Sequence, residues 1–425
     1  MSAAKLKAPR GTFDVLGEQA ARRSALEARA RSMLEAAGYE RIETPTFEAT
    51  ELFARGVGAS TDIVRKEMFT FEDQGGRSLT LRPEGTAPVC RAYVEHGMHK
   101  RRQPVKLWYL SSFYRHERAQ AGRYRQFWQV GAEAIGSEDP ALDAELIALL
   151  AALLAQSGVR GLRLRLASLG SPHSRLEYRE RLQAHLRAHQ DELSEDVRQR
   201  IELNPLRAFD SDHPGTQAVM RSAPLLLDQL EADDAEHFAQ VRALLDAAGV
   251  AYELDPTLVR GLDYYTRTVF EFTSDALGAQ SGVGGGGRYD GLVRELGGPA
   301  TPGIGWAAGV ERMMLAEAGT AHDDAHALVP APVELFVACA HEDPAVRAGA
   351  FALLNEARSA GLSAQMDMGG RSLKGQLGHA DALRARYVAI VGAGETVLKD
   401  MQAGSQQSLA ADAVVHAVLR GQHAL

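Results

Sequence analysis

Cysteine is nearly missing from this chain, with only Cys90 and Cys339 among 425 residues. The two lie far apart and in different predicted domains. That argues against a disulfide framework or a zinc site and points to a reducing, cytoplasmic setting with both thiols as small buried hydrophobes. No apolar stretch approaches the ~20 residues that span a bilayer, so no membrane association is expected. The opening, MSAAKLKAPRGTFDVLG, is basic but has no apolar core, unlike a secretory leader. There is no Walker loop, no H-E-x-x-H spacing, no identifiable set of protein metal ligands, no internal repeat and no low-complexity tract. A net charge of −8 does not advertise nucleic-acid binding, although that depends on local patches rather than the total.

Two clusters of residues carry chemistry. The first is RGLDYYTRTVFE, Arg260 to Glu271, followed by the glycine tract Gly282 to Gly291. The β-branched and aromatic run reads as a strand with Arg260 at its mouth. A guanidinium there can stabilise negative charge spreading over a phosphoryl group without proton transfer. If Tyr264 and Tyr265 lie on that strand, they point to opposite faces. The glycine run fails the dinucleotide-fold test of strand, G-x-G-x-x-G, helix and distant acid. Close approach of backbone to a substrate explains it better. The second cluster is KLWYLSSFYRHERAQAGRYRQFWQVGAEAIG, Lys106 to Gly136. Apolar runs Leu107–Tyr114 and Tyr124–Ile135 flank a polar loop and predict an antiparallel hairpin. Arg115, Arg118, Arg123 and Arg125 crowd that loop and repel one another unless a polyanion sits between them. Gln129 and Glu133 share one strand face, with Gly131 between them leaving room for a ring.

The rest of the chain divides by texture. A helix is predicted over Gln19–Ala37, a strand over Tyr39–Thr44 ending at Pro45, and helices over Thr86–His96 and Pro140–Gln156. Residues 174–250 read as a helical insertion in a catalytic domain of residues 1–325. Residues 326–332 read as a linker. From Val333 to Leu425 strands alternate with helices, predicting a small α/β domain with a largely parallel sheet. Arg371, Lys374, Arg384 and Arg386 form a second candidate basic patch there.

In this order the motifs resemble those of class II aminoacyl-tRNA synthetases, and within that class the histidyl-tRNA synthetase family. Helix, strand and Pro45 match the first class signature. Tyr114-Arg115-His116-Glu117 matches the second. Gly303-Ile304-Gly305 through Gly309-Val310-Glu311-Arg312 matches the third. Leu81-Arg82-Pro83-Glu84-Gly85-Thr86, Arg260-Gly261-Leu262-Asp263-Tyr264-Tyr265 and Gly286-Gly287-Arg288-Tyr289-Asp290-Gly291 narrow it to the histidine family. The similarity covers essentially the whole chain.

The resemblance implies an α+β fold, a class II antiparallel sheet flanked by helices, with a C-terminal α/β anticodon-binding domain. It implies a homodimer that uses ATP with Mg2+ to join L-histidine to tRNA(His) through histidyl-adenylate. By the same resemblance Arg260 and Arg115 hold the α-phosphate and the carboxylate. Glu84, Thr86 and Gln129 sit by the α-ammonium and Glu133 and Tyr265 by the imidazole, with Gly85 and Tyr264 also in the histidine site. Glu117, Arg123, Phe127 and Arg312 take the nucleotide, and Arg118, Gln120, Arg371 and Lys374 the tRNA. Trp128, Ala119 and Trp306 depart from the pattern expected of relatives. Trp128 neighbours Gln129 and is expected to point away from it. Two other readings are a regulatory subunit of ATP phosphoribosyltransferase, expected to lack the C-terminal module and to erode the arginine loop, and a non-enzymatic RNA-binding protein. The second of these would not need Glu84, Gln129, Glu133 and Arg260 all intact.

Overall fold

A computed structural model describes residues 5–58, 61–117, 122–258, 262–278, 281–318 and 333–422. Arg118, Ala119, Gln120, Arg260 and the predicted linker fall outside the described residues. The chain splits into two compact units, Met1–Ala325 and His326–Leu425.

An eight-stranded sheet organises the first unit. Its order is Glu40–Arg41, Val105–Tyr114, Gln126–Ile135, Gly303–Gly309, Gly282–Arg288, Thr266–Ser274, Leu162–Ser168 and Glu253–Leu254. Only the two outermost pairings are parallel, and the rest are antiparallel. The predicted strand 39–44 is shorter, a two-residue edge strand over Glu40–Arg41, with Ile42 N still donating to Trp108 O at 2.8 Å. The predicted hairpin forms in register, pairing Tyr109 with Gly131 and Leu107 with Glu133.

Strand alternation gives the sheet two different faces. Trp108, Ala132, Ala134, Phe270, Ile304 and Trp306 pack under helices Gly17–Ala36, Pro140–Gln156, Ala232–Ala247 and Val310–Ala318. Helix Pro140–Gln156 starts with proline in its first turn behind Asp139, whose side chain accepts from Ala141 N at 2.9 Å. Its leucines 146, 150, 153 and 154 are fully buried, each worth roughly 1.5–3 kcal/mol. On the opposite face Tyr109, Phe113, Tyr264, Tyr265 and Tyr289 pack with Val89, Cys90 and Tyr93 of helix Thr86–Glu95.

The stretch read as an insertion has two allegiances. Helices Pro172–Ala188, Glu195–Arg200 and Pro214–Met220 enclose their own core around Tyr178, Leu182 and Leu186. Helix Ala232–Ala247 instead buries Phe238, Val241 and Leu245 in the main core. Arg288 and Asp143, both fully buried, form an ion pair at 2.6 Å, and His237 of that same helix meets Asp143 at 3.0 Å.

The second unit has a five-stranded sheet ordered Ala364–Met366, Leu335–Cys339, Tyr387–Val391, Thr396–Asp400, Gln406–Leu409. The first two pairings are parallel and the last two antiparallel. The hairpin expected through Thr396–Leu409 forms, and because its first strand also pairs antiparallel with Tyr387–Val391, the sheet is mixed rather than largely parallel. Helices Pro344–Ser359 and Val414–Gln422 bury Ala350, Leu354, Val414 and Val418 against it.

Candidate active site

A cavity of about 540 Å3 opens on the sheet face opposite the helix-covered core, and the two sequence clusters meet in it. Glu84, Gly85, Thr86, Arg115, Glu117, Arg123, Phe127, Gln129, Tyr264, Tyr265 and Arg312 all line it. They come from the start of helix Thr86–Glu95, the hairpin, the segment before strand Thr266–Ser274 and the turn into helix Val310–Ala318. Arg371 and Lys374 belong to the second unit.

One end of the cavity is a buried polar cluster. Glu84 leads into helix Thr86–Glu95 and accepts from Thr86 N at 2.8 Å and Ala87 N at 3.0 Å. A carboxylate there meets the positive end of the helix dipole. Burial raises its pKa, and those N–H groups and Arg115 oppose the rise. Glu133, also fully buried, accepts from Thr86 Oγ1 at 2.8 Å and Tyr289 Oη at 2.7 Å, with Tyr109 Oη at 3.5 Å. Burial pushes its pKa up to about 8 against the pull of the Tyr289 and Thr86 hydroxyls.

Two expectations about this end need correcting. Glu133 does not line the cavity; it lies behind the wall. The space beside Gly131 is not open either. A Cβ on Gly131 or Gly85 would meet the Tyr109 ring within 2.7 Å, so the phenol lies wedged between the two glycines. Tyr109 lines the cavity where Glu133 was expected. In an apolar run it reads as core, and only its register opposite Gly131 could have singled it out.

Tyr264 and Tyr265 correct a third. The strand begins at Thr266, after the tyrosines, so alternation does not separate them. Both are buried, their ring centroids lie 4.7 Å apart, and both reach the cavity. The glycine tract corrects a fourth, because it is itself a central strand, Gly282–Arg288. Gly282, Gly284 and Gly285 line the cavity, but a Cβ on Gly286 would lie 1.9 Å from Gly305 O. Part of the tract is thus glycine for packing between strands.

The other end is cationic and more open. Arg115 donates from Nε to Pro83 O at 2.9 Å, and its guanidinium carbon lies 5.2 Å from the Phe127 ring centroid. Arg123 meets Glu117 at 3.3 Å. Arg312 donates to Gly282 O, and burial and Arg123 lower its pKa. Among residues not anticipated from the sequence, Glu271, Asp210 and Tyr124 also line the wall. Glu271 had a readable signal, a lone acid inside an apolar strand. Asp210 comes from the insertion, and nothing in its local sequence points to the site.

Trp128 points away from the cavity as expected. It packs against the helix-side core, with the Arg23 guanidinium carbon 3.8 Å from its ring centroid. Trp306 is buried in that same core. In the second unit the predicted basic patch is partly neutralised, with Arg371 paired to Asp367 and Arg386 to Asp400. Cys90 is buried, but Cys339 only partly so.

Helix and edge strand, arginine-bearing hairpin and glycine-spaced strand turning into a helix, gathered on one antiparallel sheet, make this a class II aminoacyl-tRNA synthetase fold. Comparison with known proteins narrows it. The family model for histidyl-tRNA synthetase matches residues 11–313. The chain is 48% identical to the histidine–tRNA ligase of Desulforudis audaxviator, over 97% of this chain and 98% of that protein. It superposes on the apo histidyl-tRNA synthetase of S. aureus with a TM-score of 0.80 and 36% identity, over 97% of this chain and 100% of that one. A Bacillus halodurans protein described as an ATP phosphoribosyltransferase regulatory subunit/histidyl-tRNA synthetase shares the fold at 23% identity and a TM-score of 0.63. The chain belongs to the histidyl-tRNA synthetase family.

Proposed function

We propose that this protein is a histidine–tRNA ligase, which activates L-histidine with ATP and transfers it to the 3′ end of tRNA(His), releasing diphosphate and AMP. The observation that carries this reading is the convergence, in one cavity, of a buried polar end suited to an amino acid and an arginine-bearing end suited to a triphosphate. The histidine carboxylate is already ionised at neutral pH, so its attack on the α-phosphate needs no protein base. Positioning and charge stabilisation carry the step. Arg115 and Arg260 hold the carboxylate and α-phosphate. Arg123 and Arg312 hold the remaining phosphates, and Glu117 orients Arg123. Phe127 packs against the adenine.

Glu84, Thr86 and Gln129 surround the α-ammonium. Gln129 Oε1 is buried without a partner among the described residues. An unpaired buried acceptor costs about 1–3 kcal/mol, which an ammonium donor offsets. Tyr264 and Tyr265 contact the imidazole, and Glu133 acts on it through the hydroxyls of Tyr109 and Thr86. Mg2+ enters with the nucleotide as substrate. Among the described residues no group of three or more His, Cys, Asp and Glu could hold a metal, and the phosphates supply the oxygen ligands it prefers.

The second unit, with exposed Lys374, binds the anticodon arm, while Arg118 and Gln120 meet the acceptor end. The working form is a cytoplasmic homodimer. Two free cysteines in separate units suit reducing surroundings, and no helix among the described residues is long and apolar enough to cross a membrane.

ATP–diphosphate exchange, measured with each standard amino acid in turn, tests the reading. Exchange with histidine alone is expected, and exchange with another amino acid but not histidine would overturn it. A chain ending at Ala325 should keep exchange and lose most tRNA charging, because the salt-dependent RNA contacts of the second unit are gone. Full charging by that shorter chain would remove the anticodon-binding role.

A further inference from the structure

The helical insertion holds the backbone that carries the two cavity tyrosines. Arg175, on helix Pro172–Ala188, donates through Nη1 to the carbonyl of Tyr265. Asn204 Nδ2 reaches Asp263 Oδ1 at 3.4 Å. Arg267 N donates to Gly170 O at 2.8 Å, and Leu169 N donates to Arg267 O at 2.7 Å, tying the insertion's entry to the same segment. Arg267 Nε also meets Asp234 Oδ1 at 3.0 Å, and Asp234 accepts from Ser171 N at 2.6 Å and from Ser174 Oγ at 3.2 Å. Asp234 is buried on helix Ala232–Ala247, so the insertion's entry and its last helix meet on one arginine.

The backbone pays for this arrangement. Arg267 has φ of 45°, a left-handed conformation that costs a residue with a side chain of order 1 kcal/mol. The ladder skips at the same place: Gly287 pairs with Val269 and the next residue, Arg288, with Thr266. Tyr264 and Tyr265 lie just before this irregular strand start, outside its alternation, and both line the cavity. Such a conformation persists only where its surroundings over-determine it, and here those surroundings are the insertion.

We propose that Arg175 and Arg267 are positioning residues for the amino-acid pocket, through which the helical insertion fixes Tyr264 and Tyr265 and so sets the affinity for histidine. Neither arginine lines the cavity; both act through the 263–267 backbone. The inference rests on the reading of Tyr264 and Tyr265 as histidine contacts.

The test uses the full chain with Arg175→Met, Arg175→Lys and Arg267→Gly, in exchange kinetics with histidine and ATP varied separately, alongside thermal melts. Glycine adopts the left-handed backbone freely, so Arg267→Gly removes the latch to Asp234 while relieving strain. Losing a charged hydrogen bond to the Tyr265 carbonyl is expected to raise KM for histidine about tenfold in Arg175→Met, with KM for ATP unchanged. Arg175→Lys should recover part of the loss. Arg267→Gly should raise KM for histidine while still melting cooperatively, the relieved strain offsetting part of the loss of the ion pair to buried Asp234, and it carries the test alone if Arg175→Met does not fold. Unchanged KM for histidine in the folded variants, or equal rises for histidine and ATP, would overturn the proposal. Failure of the functional reading looks different, because the unmutated protein would then show no histidine-dependent exchange.

Discussion

The two ends of the cavity solve binding problems of different kinds. At the amino-acid end, Glu84 and Glu133 are fully buried and both already hold hydrogen bonds from Thr86. At the nucleotide end, Arg115 and Arg123 are partly exposed and paired loosely with Glu117 at 3.8 and 3.3 Å. A small polar ligand is distinguished by groups whose positions are fixed beforehand, since a misplaced or missing partner leaves a buried atom unpaired. A triphosphate arrives with its own charge and can reorganise exposed guanidiniums, whose loose ion pairs cost little to exchange.

That contrast fails if the rank of effects below is reversed. Arg115→Ala should be the most damaging to chemistry, lowering the exchange rate about a hundredfold or more, because a cation facing developing charge acts on the transition state. Its melting temperature should hardly move, as the side chain is partly exposed. Equal loss of stability and rate would make Arg115 a structural residue. Glu133→Gln should raise KM for histidine roughly tenfold and leave that for ATP alone.

The same Glu133 variant gives a pH signature. Its carboxyl is raised from an ordinary 4.5 to about 8 in the fold, so folding favours the protonated form. Stability it contributes is fully present below pH 4.5 and is lost as pH rises through about 8. Melting temperatures of the unliganded protein, followed across that window, should fall less steeply in Glu133→Gln than in the unmutated chain. Parallel curves would place the titration elsewhere. Tyr109→Phe should have the smallest effect, a KM for histidine raised about threefold, since only a long hydrogen bond disappears. No change at all would leave Thr86 as the one route from Glu133 to the cavity.

Legibility in the sequence followed the range of the interactions concerned. The hairpin Val105–Tyr114 and Gln126–Ile135 could be read because apolar runs and a glycine-containing loop are local signals. Helix Pro140–Gln156 could be read for the same reason, down to its first proline. The cavity residues were found largely because their motifs keep fixed spacing. What stayed hidden was set by packing between distant segments. Tyr109 displaces the open space predicted beside Gly131 because Gly85, far off in sequence, faces it too. Asp210 reaches the wall only because the insertion folds over the segment around Tyr265. The bulge at Arg267 needs Gly170 and Asp234 as partners, and no local pattern announces them.

Gly305 and Glu133 sit in paired register on neighbouring strands. A methyl group on the glycine would lie 1.6 Å from the Glu133 carboxylate. Seen as a path for change, this makes the glycine-spaced third signature and the buried Glu133 hostages to each other. A bulkier residue at 305 cannot be tried while Glu133 keeps its length, and shortening Glu133 first takes away the carboxylate that the Thr86 and Tyr289 hydroxyls donate to. A new amino-acid specificity at this end must therefore arrive through at least two coordinated substitutions, with the intermediate chain worse than either neighbour.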